Sequence, residues 1–72
     1  MDNLYYTQSL NLAAYLKYRG KNPISSETVK GITTFYFDKD EETYQIVRDY
    51  NNNEDLKGFI SAFRDIKFMI KK

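Results

Sequence analysis

Ile32-Thr33-Thr34-Phe35-Tyr36-Phe37 is a run in which every residue is β-branched or aromatic, the composition of a strand rather than a helix. On its N-terminal side Lys30-Gly31 is a turn candidate, and Ile24 to Val29 before it alternates weakly and is polar, as an edge strand would be. These two strands are expected to pair as an antiparallel hairpin. Further back, Asn22-Pro23 punctuates the chain, and Leu10 to Arg19 carries Leu12, Ala13 and Leu16 on one helical face with Tyr15 at its flank. Thr7, Gln8 and Ser9 offer N-cap chemistry for that helix, and Gly20 suits the left-handed position that ends it. Leu4-Tyr5-Tyr6 is a short aromatic stretch with strand preference.

On the C-terminal side, Asp38 followed three residues later by Glu41 resembles a capping box, and Asp40, Glu41 and Glu42 suit the positive end of a helix dipole. Tyr44, Val47 and Tyr50 form an apolar stripe on that helix, with Ile46 beside it. The helix breaks at Asn51-Asn52-Asn53, where Asn52 or Asn53 caps a last helix. In that helix Leu56, Phe59, Phe63, Ile66 and Ile70 follow a 3-4-3-4 spacing, a continuous apolar seam widened by Ile60. The order β-α-β-β-α-α predicts one α+β domain over residues 1–72, a three-stranded, mainly antiparallel sheet with helices packed on one face. The last helix, the longest and most amphipathic, is expected to supply most of the cover. Leu12, Leu16, Phe35, Phe37, Phe59 and Phe63 are the expected centre of the core.

The residues that are missing narrow the chemistry. There is no cysteine, which removes disulfides and thiolate metal sites and fits a reducing, cytoplasmic setting. There is no histidine, so the commonest metal ligand and the usual near-neutral acid–base group are both absent. No apolar run approaches a membrane span, and the first residues lack a signal-peptide pattern. Eleven basic against ten acidic residues is a near balance that weighs against a general nucleic-acid footprint.

Four constellations bear on function. Asp38, Asp40, Glu41 and Glu42 would suit a hard cation, but they lack the loop spacing of a calcium site, and helix capping accounts for them. Lys17, Arg19, Lys21 and Lys30 form a candidate basic patch, weighed against a solvated helix end and turn; Lys67, Lys71 and Lys72 are weighed likewise. Ser25 and Ser26 have no histidine to activate them and no nucleophile elbow around them. The fourth is the aromatic strand. Phe35 and Phe37 share one face with Thr33, which turns Thr34 and Tyr36 to the other with Ile32. Tyr5 joins that open face when Leu4 and Tyr6 point inward. Tyr5, Thr34 and Tyr36 are therefore a candidate binding surface, for protein contact or for base stacking, against the plainer reading of cross-strand pairing. Phe68 falls opposite the Leu56-Phe59-Phe63 seam, either under the first helix or exposed as a partner contact.

Three stretches also carry a resemblance: Tyr6-Thr7-Gln8-Ser9-Leu10-Asn11-Leu12-Ala13-Ala14-Tyr15-Leu16 closing at Gly20, Thr34-Phe35-Tyr36-Phe37-Asp38, and Phe63-Arg64-Asp65-Ile66-Lys67. In this order they resemble a family of small proteins from Gram-positive bacteria and their phages known only as a domain of unknown function. The resemblance spans nearly the whole chain and implies an α+β domain of mobile-element origin; it brings no catalytic residues. The second strand here is more polar than the family's pattern. The expectation is a non-enzymatic interaction module that needs no cofactor and binds a protein partner or itself. The alternative is a nucleic-acid accessory protein using the aromatic sheet face with flanking Lys and Arg.

Overall fold

A computed structural model describes residues 4–70. The elements are β1 (Leu4–Thr7), α1 (Leu10–Tyr18), β2 (Ser25–Val29), β3 (Ile32–Asp38), α2 (Glu41–Asn52) and α3 (Glu54–Ile70). The sheet is antiparallel throughout with order β1-β3-β2, so the aromatic run is its centre. Lys30 and Gly31 both have positive φ, 54° and 83°, as the two central residues of a type I′ hairpin turn require. The expected α+β class and element order stand.

α1 is closed at both ends by its own sequence. The Ser9 hydroxyl accepts from the Leu12 N–H at 3.1 Å. At the other end Gly20 takes φ 104°, the Gly20 N–H reaches the Lys17 carbonyl and the Lys21 N–H reaches the Leu16 carbonyl, a Schellman closure. α2 is capped by Asp40, whose carboxylate accepts from the Thr43 N–H at 2.9 Å. This corrects the expected cap at Asp38. Asp38 is held in the ladder opposite Leu4, so the chain leaves the sheet only after it. Asn53 alone separates α2 from α3, and its side chain accepts from the Leu56 N–H at 2.9 Å.

The core is small. Leu12, Ala13 and Leu16 of α1, Phe37 of β3 and Ile46 of α2 are buried, with Tyr5, Tyr15, Phe35, Val47 and Tyr50 packed around them. Thr43 is buried too, its hydroxyl donating to the Asp38 carbonyl at 2.7 Å, so the polar group costs little. On α2 the inward face is thus Thr43, Ile46, Val47 and Tyr50, whereas Tyr44 of the expected stripe is exposed.

The larger correction concerns α3. None of its residues is buried, and Phe59 and Phe63, expected at the centre of the core, are 68% and 56% exposed. Its main packing partner is α2, not the sheet. Seventeen helical residues run about 25 Å, against about 13 Å for the nine of α1 and about 18 Å for the twelve of α2. α1 and α2 supply the helical side chains buried beside Phe37 and α3 supplies none, in a molecule 42 Å long and 15 Å thick.

Candidate functional site

The strand register decides which aromatics face outward. Tyr6 lies opposite Tyr36 and Tyr5 opposite Phe37, so Tyr5 shares the helix-covered face. It packs on the core and meets Tyr44 edge-on, ring centroids 6.1 Å apart; burial, with Tyr44 alongside, pushes the Tyr5 hydroxyl above its ordinary pKa of 10.0. Tyr5 therefore leaves the expected surface and Tyr6 takes its place, 66% exposed and 6.2 Å from the Tyr36 ring. Thr34 and Tyr36 do lie on the open face, both half-buried. Thr34 accepts from Gln8 Nε2 at 3.3 Å, and the Tyr36 hydroxyl donates to Glu27 at 3.4 Å.

Register also fixes the charge of this face. Leu4, Tyr6, Ser25, Glu27, Val29, Ile32, Thr34, Tyr36 and Asp38 point the same way, with two carboxylates and no cation among them. A phosphate backbone laid here would meet repulsion rather than neutralisation.

The candidate basic set does not come together. Arg19 pairs with Asp49 at 3.0 Å, lies 5.6 Å over the Tyr15 ring and donates to the Tyr15 hydroxyl, bonds that raise its pKa. Lys21 pairs with Asp40 at 2.9 Å and lies 3.8 Å from Glu42; the Asp40 bond raises its pKa in turn. Lys17 donates to the Asn22 side chain at 3.1 Å. Lys30 sits at the hairpin tip, the length of β3 away from Asp38, on the order of 20 Å. Two of the four cations thus brace α1 against α2.

The Lys21–Asp40 contact carries a pH signature. The Lys21 ammonium, then the Thr43 N–H, hold the Asp40 carboxyl at about 2, below its ordinary 3.8. A carboxyl depressed in the folded state adds stability that is present above its unfolded pKa and is lost as pH falls through the folded one. The melting temperature should therefore drop between about pH 4 and pH 2. Asp40→Asn should flatten that stretch of a pH series followed by circular dichroism; an unchanged slope would remove Asp40 as a contributor.

The acidic cluster is accounted for by this cap and pair, and among the described residues no group of three or more carboxylates is placed to hold a metal ion. Ser25 and Ser26 are exposed positions of β2. What sequence reasoning missed is the outer side of α3. Phe59, Phe63, Ile66, Phe68 and Ile70 are all more than half exposed, which also answers where Phe68 lies. Between α3 and the start of α1 an open groove of about 790 Å³ is walled by Leu10, Phe59, Ile60, Phe63, Phe68 and Ile70, with Arg64 and Lys67 at its edge. The seam of five apolar positions was visible in the sequence; that α1 and α2 would supply the helical part of the core and α3 none of it was not.

Set against known proteins, the chain is matched over residues 2–71 by the model of a family described as domain of unknown function (DUF5659). No curated protein and no solved structure matches it.

Proposed function

We propose that this chain, which belongs to the DUF5659 family, is a non-enzymatic interaction module that binds a protein partner or a second copy of itself. The observation that carries this reading is the outer face of α3, an amphipathic helix whose apolar side has no cover within the described chain. Contiguous apolar surface of this kind marks protein contact sites. The open sheet face, with Tyr6 in place of Tyr5, is secondary, since Thr34 and Tyr36 are half-buried and bonded to Gln8 and Glu27. No helix of the described residues is long and apolar enough to cross a membrane. A cytoplasmic setting, which the lack of cysteine fits, and the Gram-positive or phage origin that the resemblance implies belong to the same proposal.

The nucleic-acid alternative is disfavoured by the carboxylates of the sheet face and by the pairing of Arg19 with Asp49 and Lys21 with Asp40. Both readings are separated by one set of measurements. Affinity capture with the wild-type chain should retain a protein, its own copies included, that Phe63→Asp does not retain. Single-stranded oligonucleotide should bind neither. Oligonucleotide binding that falls steeply between about 50 and 200 mM salt, and is lost in Tyr6→Ala and Tyr36→Ala, would overturn the module reading in favour of the alternative.

A further inference from the structure

We infer that the occupant of the α3 groove is the α3 helix of a second copy of this chain, running antiparallel about a two-fold axis near Ser61. The inference rests on the interaction-module reading and names the partner. Three features of the helix support it.

The first is area. Leu10, Phe59, Phe63, Ile66, Phe68 and Ile70 are each between half and three-quarters exposed. At about 200 Å² for a large side chain, they leave on the order of 800 Å² uncovered per chain. A stable interface of standard size buries about 800 Å² per partner.

The second is charge order. The first half of α3 has Glu54 and Asp55 against Lys57, and the second half has Arg64 and Lys67 against Asp65. An acidic start and a basic end make the helix complementary to itself only when the copies run in opposite directions. The helix dipoles add to the same preference. A parallel pair would set like charges side by side.

The third is the distribution of apolar groups. Phe63, Ile66, Phe68, Met69 and Ile70 occupy more than one side of the last turns, and all are exposed. Large apolar groups on two sides of a helix leave more apolar surface than one packed face can cover. In an isologous pair each α3 enters the groove of the other, so it is covered by the partner's α3 and by the partner's α1 start. With the axis at Ser61, Phe59 of one copy lies level with Phe63 of the other. These two rings already stack within one chain, 6.4 Å apart, so a layer of four would close the centre.

Sedimentation equilibrium of the full chain should show a monomer–dimer equilibrium in the micromolar range. Phe59→Asp/Phe63→Asp, both at exposed positions, should keep the circular dichroism of the fold and weaken dimerisation at least about a hundredfold, as loss of two central anchors does. Direction is read by spin labels, since the chain has no cysteine of its own. Labels on Ser61→Cys should lie level across the dimer, whereas labels on Glu54→Cys should be offset by about 20 Å, fourteen residues of helical rise. Equal distances at the two sites, a dimer indifferent to the double variant, or a wild-type chain that stays monomeric would each overturn the pairing. A monomer whose α3 face still holds a different protein overturns the pairing alone; salt-steep oligonucleotide binding overturns the module reading itself.

Discussion

Phe37→Ala should cost about 3–5 kcal/mol, a large share of the stability of a chain this short. Phe37 is fully buried near the C-terminal end of the middle strand, in the cluster it forms with residues of α1 and α2. Its truncation opens a cavity that Leu16, Ile46 and Tyr5 cannot fill without moving backbone. At roughly 0.05–0.15 kcal/mol per residue a domain of this length has on the order of 4–11 kcal/mol to lose. Thermal unfolding of dilute protein checks it, beside Phe63→Ala as control. The control should lose less than about 1 kcal/mol, as surface positions do. Equal losses in the two variants would mean that α3 is packed into the core after all.

Leu16→Ala should be the second most damaging change, costing about 2–5 kcal/mol. Leu16 is fully buried, and its own carbonyl receives the Lys21 N–H that closes the helix. The cap holds the backbone at this turn, so α1 cannot slide to fill the space left behind. Urea unfolding should show a lowered midpoint with an unchanged slope, the mark of lost stability in an intact fold. A loss below about 1 kcal/mol would show that α1 relaxes onto the sheet and that the Gly20 closure is not restraining it.

The secondary structure was legible because its causes are local. The β-branched and aromatic run, the Lys30-Gly31 turn, Ser9, Gly20 and Asn53 each act within a few residues of their position, and each does in the structure what its chemistry allows. The cap at Asp40 was misread as Asp38 for an equally local reason. Both are aspartates ahead of a helix, and only the ladder contact of Asp38 with Leu4 shows that the strand is still running there.

The surface was less legible. Alternation within β3 correctly turned Tyr36 and Thr34 away from Phe35 and Phe37. It said nothing about β1, since a one-residue slip exchanges the two faces of a strand four residues long. Tyr5 and Tyr6 are adjacent and alike, so their composition holds no preference; the pairing of Tyr5 with Phe37 made the choice. The basic residues were visible as a set, but sequence order did not show that Asp49 and Asp40 would neutralise Arg19 and Lys21, thirty and nineteen residues away.

By itself, the sequence determined the α+β class, the order of six elements, the hairpin and the burial of Leu12, Leu16 and Phe37, because periodicity and capping are properties of neighbouring residues. Only the tertiary structure decided which tyrosine faces solvent and what the apolar seam of α3 packs against. A 3-4-3-4 spacing states that a helix has an apolar face, and any apolar surface satisfies it equally. The two shorter helices closed the core around Phe37, and the longest one kept its phenylalanines turned outward.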